Sequence, residues 1–555
     1  MPASDASLAH PRTRPRRTDA LGQALTWLCG GALAFNLLLA LGLLVLIATA
    51  GLHYFWQQPL VLLTLKDGSQ ALGEVQGGES IPVTPADPTP GERLRLKIGN
   101  RDVYGLDFRW IDERDIARRD VPPTSTFLER YEWGNFYGTM AELRRGEQVL
   151  ASGEADTWAA FAPLHDEKMS ERAAVTALEQ GPIGALNRQL EDLRLSERRL
   201  ELEHPPAAER AERQASIEHR RAALNAEYDH LAAQLAARRE HLRAETVVMR
   251  TADGQEKSIP VGDIVEALRP NAMSTPALTG LYMKRLWRFV VDDPRESNTE
   301  GGIFPAIFGT VMMVFLMSFA VAPFGVLAAL YLREYAREGL LVRAVRIAVN
   351  NLAGVPSIVF GVFGLGFFVY IIGGSIDQLF YPEVLPSPTF GTGGILWASL
   401  TLALLTVPVV IVATEEGLAA VPRIVREGSL ALGATKFETM VRVVIPAAAP
   451  GILTGMILAM ARAAGEVAPL MIVGMVKLAP ALPIDRQFPF VHLERKFMHL
   501  GFHIYDVGFQ SPNVEATEPL VFATAFLLVL VVMAMNLTAI VVRNRLRARY
   551  AGSAV

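Results

Sequence analysis

The sequence predicts an all-α polytopic membrane protein with six transmembrane helices and a large α+β insertion between the first and second. Three observations predict it. Over 555 residues the hydrophobic content is 51%, too high for an ordinary multidomain soluble protein, and the excess is concentrated in blocks. Six apolar stretches, residues 25–51, 304–332, 352–373, 394–413, 446–474 and 520–542, have roughly the length that crosses a bilayer. Clustered cations flank them in a consistent sense. The net charge of -4 excludes little, because in such a chain the placement of charge matters more than its sum.

That placement orients the chain. Arg12, Arg14, Arg16 and Arg17 precede the first stretch, Arg333, Arg337, Arg343 and Arg346 follow the second, and Arg543, Arg545, Arg547 and Arg549 follow the last. Arg423, Arg426, Lys436 and Arg442 lie between the fourth and fifth, whereas residues 374–393 carry no Lys or Arg. The positive-inside rule puts all four cationic groups in the cytoplasm. Both tails, residues 1–24 and 543–555, are then cytoplasmic, and residues 52–300 are extracytoplasmic, periplasmic in a two-membrane cell. The first stretch is too long for a signal peptide and lacks a small-residue cleavage site. The one cysteine, Cys29, lies inside it, so no disulfide can staple the exported segment.

The exported segment has two textures. Short β-prone runs end in turn signals: Val61–Leu65 before Lys66-Asp67-Gly68, Leu94–Ile98 before Gly99-Asn100, and Thr246–Met249 ahead of Asp253-Gly254. Two units close alike, in Glu113-Arg114-Asp115-Ile116 and Val261-Gly262-Asp263-Ile264. A small β-barrel-like module used more than once is expected. From about residue 169 to 245 the composition turns to Ala, Leu, Glu and Arg. Leu186, Leu193 and Leu200 recur at heptad spacing, as do Ile217, Leu224 and Leu231, with Tyr228, Leu235 and Leu242 on the second seam. His204-Pro205-Pro206 interrupts them, so residues 183–245 are expected to form an antiparallel coiled-coil hairpin. It serves either as a self-contained stalk or as a partner-binding coiled coil.

Arg462 and Glu466 are the only charged side chains inside any of the six apolar stretches. Their spacing is one helical turn, so a continuous helix over residues 446–474 would place them on one face near mid-span. A buried arginine there costs about 3 kcal/mol or more unless it faces protein or water, which marks a path for a polar solute. The bland alternative is a mutually neutralising brace between helices.

The segment before this span reads Arg426-Glu427-Gly428-Ser429-Leu430-Ala431-Leu432-Gly433-Ala434-Thr435-Lys436, and later Val443-Val444-Ile445-Pro446. A helix, a glycine turn and a second helix ending at Pro446 are expected, forming a compact protrusion from the membrane face. Glu427, Gly433, Val443, Ile445 and Pro446 keep the intervals of the EAA loop. In that pattern Glu-Ala-Ala is followed by three residues, Gly, nine residues, an aliphatic, one residue, an aliphatic and Pro. Gly428 and Ser429 replace the two alanines. With Gly301-Gly302-Ile303-Phe304, Gly354–Val359, Thr414-Glu415-Glu416 and Arg462–Leu470, the chain from 301 onward resembles the PstA-type permeases of phosphate-specific ABC importers.

That resemblance implies a MetI-like permease domain over residues 301–542, with residues 414–446 as the EAA coupling loop. It implies import of inorganic phosphate across the bacterial inner membrane by a heterodimeric channel. The partners would be a PstC-like second permease, a PstB-like ATPase that alone holds ATP and Mg, and a PstS-like periplasmic phosphate-binding protein. Arg462, Glu466 and Glu415 match residues implicated in translocation. Glu427, Gly428, Ser429, Leu432, Gly433, Ala434, Lys436 and Pro446 match the ATPase-coupling loop. The family often has an arginine where this chain has Val412. The alternatives are a permease for sulfate, molybdate or phosphonate, or a membrane sensor of phosphate status.

No Gly-x-x-x-x-Gly-Lys-Ser/Thr loop occurs, so no catalytic residue and no cofactor is expected in this chain, only lipid around it and no nucleic acid. His492, His499 and His503 lie in the loop of residues 476–517 at spacings of seven and four, a weak pattern for a metal, and no metal site is expected.

Overall fold

The computed structural model describes residues 17–81, 91–511 and 514–551. Arg12, Arg14 and Arg16, with most of the amino-terminal tail, lie outside the described residues. Among the described residues six helices are long and apolar enough to cross a membrane: TM1 (Gly22–His53), TM2 (Phe304–Tyr335), TM3 (Ser357–Phe380), TM4 (Ile395–Ala419), TM5 (Lys436–Gly465) and TM6 (Val514–Ala548). TM3 starts later than its apolar block does. Pro356 precedes Ser357 in an extended conformation, and the residue before a proline is itself turned away from the helical region, so residues 352–356 cannot join the span.

TM4 is the hub. Ile395, Ala398, Leu402, Leu405 and Val410 are buried with Met313, Val314, Met317 and Val321 of TM2 and with Ala459, Ala463 and Ala464 of TM5. Small residues let the backbones meet. A Cβ on Gly451 of TM5 would lie 2.6 Å from the Gly417 Cα of TM4, and one on Gly455 would lie 2.6 Å from the Ala413 Cβ. TM1 stays largely exposed and crosses TM6 where a Cβ on Gly51 would lie 2.7 Å from the Ala523 Cα.

Between TM1 and TM2 stand two copies of one strand arrangement. The first has β1 (Leu60–Leu65), β2 (Gln70–Ile81), β3 (Gly91–Lys97), β4 (Phe108–Asp112) and β5 (Ile116–Asp120), in antiparallel order β4-β3-β2-β1-β5. The second has β6 (Thr126–Arg130), β7 (Phe136–Arg145), β8 (Gln148–Ser152), β9 (Glu245–Arg250), β10 (Glu256–Pro260) and β11 (Ile264–Leu268), in order β10-β9-β7-β6-β11, with β8 on β7. In each copy a single turn, Glu113–Asp115 or Val261–Asp263, joins the two edge strands. Four residues reach about 14 Å, whereas the edges of a flat five-stranded sheet are about 19 Å apart. Both sheets must therefore curl into barrels. Asn100 ties the copies together: its side chain accepts from the Tyr137 N–H at 2.7 Å and donates to the Tyr137 carbonyl at 2.9 Å.

The second barrel carries an arm between β8 and β9, built from α1 (Glu154–Leu178), α2 (Gly184–Glu203) and α3 (Ala207–Arg243). The arm thus begins at Glu154 rather than near residue 183. α1 escapes the heptad pattern because it packs on the barrel as well as on the base of α3: Phe161 joins Phe136, Met140 and Met249 in the barrel core, while Lys168 and Glu171 meet His241. Beyond the Gly181-Pro182 distortion the heptads take over, with Leu186, Leu193 and Leu224 buried together. The arm's root holds a charge pair out of water. Lys168, 0% exposed, lies 2.6 Å from Glu245, itself 1% exposed, and donates to the His241 carbonyl at 2.6 Å. Burial alone would raise the Glu245 carboxyl, but hydrogen bonds from Lys168 and Arg145 hold it below the usual range. Near its tip the arm returns to the membrane domain, where Arg199 pairs with Glu383 in the loop between TM3 and TM4.

The insertion is clamped onto the start of TM2 through α4 (Thr275–Val291) and residues 292–303. Arg295 pairs with Glu129, and Arg101 with Glu296. Replacing Lys168 with methionine strands Glu245 with only the half-exposed Arg145 as a cation partner, so Lys168→Met is expected to destabilise the insertion by about 3 kcal/mol. Thermal unfolding followed by limited proteolysis at the arm root measures this loss against wild type.

Candidate functional site

TM5 does not continue to residue 474. Its last helical segment, Ile445–Gly465, ends at Glu466, which is extended at φ -79° and ψ 131°. Helix resumes as α7 (Ala468–Val473), with Pro469 in its first turn. Pro469 offers no N–H to the Gly465 carbonyl, its ring would clash with that carbonyl, and it disfavours a helical Ala468. The span expected as one helix over 446–474 is therefore two helices with a break at residues 466–467.

Neighbouring contacts set the depth of the break. Gly455 lies against Val410 and Ala413. Arg462, seven residues further on, sits about 10 Å higher, level with residues 403–406 of the antiparallel TM4. On the far side of the break Pro469 lies against Gly361, and TM3 in turn touches TM4 where Gly364 meets Thr401. The break thus lies near the middle of TM4. Arg462 Nε stands 3.5 Å from Glu466 Oε1, and the side chains keep 35% and 20% exposure. The pair keeps its i,i+4 proximity although Glu466 itself has left the helix.

Glu415 belongs elsewhere. It lies about ten residues down TM4 from the level of Arg462, or about 15 Å. There its carboxylate faces Arg346, 3.7 Å away on the amphipathic helix α5 (Leu340–Leu352). Glu415 therefore lies at a different depth from Arg462 and Glu466, toward the inner end of TM4. Val412, 40% exposed, adds no charge between them.

The segment between TM4 and TM5 is α6 (Arg423–Ala431), a turn at Gly433 with φ +87°, and a helix that starts at Lys436. Thr435 caps that helix in a reciprocal box with Glu438. Ser429 and Thr439 hydroxyls meet at 2.9 Å and brace the two helices. Pro446 neither ends the second helix nor starts the span. A wide turn at Met440–Val444 carries the helix into Ile445–Gly465 without a break. That shift of register accommodates the donor Pro446 lacks.

Within the segment Glu427, Gly428, Leu432 and Gly433 are exposed, Ala434 is half-buried, and Leu432 keeps 91% exposure. Phe437, 68% exposed, is a second exposed apolar side chain of the segment that motif spacing alone does not single out. An aromatic in a polar loop was the available signal. Lys436 turns back to the end of TM2, donating to the Glu334 carbonyl at 2.5 Å with its ammonium 4.6 Å from the Tyr335 ring. Arg426 reaches the same residue, 3.1 Å from the Glu334 carboxylate. Glu334 is the anchor that sequence reasoning missed, hidden among the arginines after TM2.

The three loop histidines are not gathered. His492 lies 3.2 Å from both Asp485 and Glu494, His499 accepts from the Gly501 N–H at 3.1 Å, and His503 approaches Thr524 at 3.3 Å. A cavity of about 1100 Å³ lies between the two barrels and α4. Its wall sets Arg101 against Glu296 and Arg295 against Glu129, so it is not an anion pocket of one sign.

Residues 321–550 match the family of binding-protein-dependent transport system inner membrane components. A phosphate transport permease PstA of Yersinia pestis is 33% identical over 250 residues, 45% of this chain and 75% of its own length. The probable ABC transporter permease YqgI of Bacillus subtilis is 30% identical over 258 residues, 46% and 81%. A probable PstA of Methanocaldococcus jannaschii is 35% identical over 189 residues, 34% and 60%. Several curated relatives are matched over only 51–60% of their length. The solved inward-facing methionine transporter MetNI overlaps 49% of this chain and 99% of its own at 19% identity, with a TM-score of 0.33. The chain belongs to the family of binding-protein-dependent transport permeases, among its PstA-type members.

The loop between TM5 and TM6 sets a pH limit. Burial pushes His499 down to about 4, and burial with the nearby Lys477 does the same to His503. Both are neutral in the fold but bind protons when unfolded below about 6.5. Their stabilisation is complete above that pH and is lost as pH falls toward 4, on the order of 3 kcal/mol for each. Melting temperature in detergent is expected to fall over this window, and a His499→Asn, His503→Gln double variant to show a flatter profile.

Proposed function

We propose that the chain is the permease subunit of an ATP-driven importer that carries inorganic phosphate across the inner membrane, with both termini in the cytoplasm and the twin-barrel insertion outside. The observation that carries this is the arginine–glutamate pair at a helix break near mid-depth. Arg462 offers a planar fork of donors to a phosphate oxygen, and Glu466 keeps that fork from holding the anion too tightly. A partly exposed pair is available to a transient ligand, which a sealed brace would not be.

In this reading the energy comes from a separate PstB-like ATPase holding ATP and Mg. Leu432 and Phe437 seat in that subunit, Glu427, Gly428, Gly433 and Ala434 shape the contact, and Ser429, Lys436 and Glu334 make the protrusion rigid. Because the helix runs unbroken from Lys436 through Pro446 to Gly465, a push at the protrusion reaches Arg462 without a flexible joint. A PstC-like permease would supply the other wall of the path, and a PstS-like protein would deliver phosphate. Glu415 and Arg346 form a second station nearer the ATPase side.

The test is uptake of radiolabelled phosphate by cells carrying Arg462→Gln in the assembled transporter. Losing a charge-assisted contact is expected to cut uptake roughly 10- to 100-fold while ATPase copurification stays normal. Wild-type uptake would end the pathway reading and leave the pair as a brace. Competition by sulfate, molybdate or phosphonate in the wild type decides whether phosphate is the right oxyanion.

A further inference from the structure

The helix α4 is polarised the wrong way for a helix on a water-facing surface. Its arginines turn toward the fold, and Lys284, 59% exposed, lies at the edge with a carboxylate partner. Lys284 pairs with Glu266 at 2.6 Å, Arg285 donates to Gln57 at 2.8 Å, and Arg288 lies 3.2 Å from Asp292. Its opposite face presents Pro276, Gly280, Met283, Trp287 and Val291, successive positions three or four apart that form one stripe without charge. Met283 is 56% exposed, Trp287 68% and Val291 38%.

The stripe sits where two spans leave the membrane. The Ile303 N–H donates to the Phe289 carbonyl at 2.9 Å and the Phe304 N–H to the Asp292 carbonyl at 3.2 Å, so the end of α4 is fastened to the first turn of TM2. Just beyond TM1, Phe55 packs on Phe289 with ring centroids 5.0 Å apart, and Trp56 on Tyr282 at 5.9 Å. Buried Phe289 also shares a core with Ala306 of TM2 and Leu520 of TM6. Trp287, half a turn before Phe289, is therefore held at the level where TM2 begins. An indole prefers that level, with its ring among acyl chains and its N–H among headgroups.

We infer that α4 is an interfacial anchor, and that Met283, Trp287 and Val291 enter the headgroup and acyl boundary of the leaflet on the insertion's side. This contact fixes the height and tilt of the twin barrels above the membrane. A protein partner would have to compete with lipid for a stripe that TM1 and TM2 already place at the bilayer edge. The barrels are thus held between the clamp at residues 292–303 and the bilayer surface, and the arm is aimed at Glu383 from a fixed base.

The test uses the full chain with Cys29→Ala, reconstituted in vesicles of phosphatidylethanolamine and phosphatidylglycerol. Single cysteines replace Met283 or Trp287 and carry an environment-sensitive fluorophore. A control label replaces Leu106, which is 65% exposed on the first barrel. Both α4 labels are expected to shift to the blue on reconstitution and to be quenched by shallow spin-labelled lipid several-fold more than the control. Quenching no greater than the control overturns the inference, whether the labels remain in water or are shielded by protein. Because Met283 and Trp287 are exposed, their replacement does not depend on repacking a core, and circular dichroism of each variant confirms the fold.

Discussion

Pro469 has no amide hydrogen to give Gly465, and it sits in the last third of the apolar stretch 446–474. With that missing hydrogen bond go the extended Glu466 and the restart at Ala468, while Glu466 stays beside Arg462 across the helix end. A chain interrupted inside a bilayer is tolerated only where protein or water receives the freed backbone groups. Protein packs closely around the break: Gly361 lets TM3 close against Pro469, and Gly393 and Gly394 let the chain pass against Val473 and Gly474. The glycines of TM3 and TM4 and the break in TM5 are one arrangement.

The two ends of TM5 divide the work. On one side, an unbroken helix runs from the glycine turn at Gly433 up to the pair, braced at its base by Glu334, Tyr335 and the Ser429–Thr439 contact. On the other side, α7 leads to Gly474, which touches the loop holding Glu383, the residue paired with Arg199 at the far end of the arm. Both the coupling protrusion and the large insertion therefore make contact with the segments flanking the break. Permease and insertion share one packed framework.

Much of this was legible in the sequence. Each of the six apolar blocks contributes a long helix, though the block 446–474 does so only as far as Gly465, since twenty or so largely apolar residues admit few other fates. The paired endings at Glu113–Ile116 and Val261–Ile264 occupy the same turn in each barrel, and the heptad leucines are the ones buried in the arm. What escaped was decided by local exceptions. The root of the arm follows the barrel's surface through Thr157, Phe161, Lys168 and Val175 rather than a heptad. Pro446 looked like a helix boundary and is carried through by a register shift, while Pro469 looked innocuous inside a motif and is the real boundary. Periodicity reports which residues are apolar. It cannot say which of two prolines the neighbouring helices will accommodate. That Glu415 lies at the inner end of the fourth span and Arg462 near the middle of the fifth was legible, and the packing of TM4 on TM5 through Gly417, Gly451 and Gly455 sets their distance.

The central claim is that the break at the end of TM5 opens onto an aqueous path. Gly465 is the position from which to ask, because it is exposed and a Cβ added there meets nothing within 4 Å. In the Cys29→Ala background, Gly465→Cys in membrane vesicles should react with a membrane-impermeant, negatively charged thiol reagent, and phosphate should slow the reaction. A cysteine that stays unmodified, as one at a lipid-facing position would, contradicts the account.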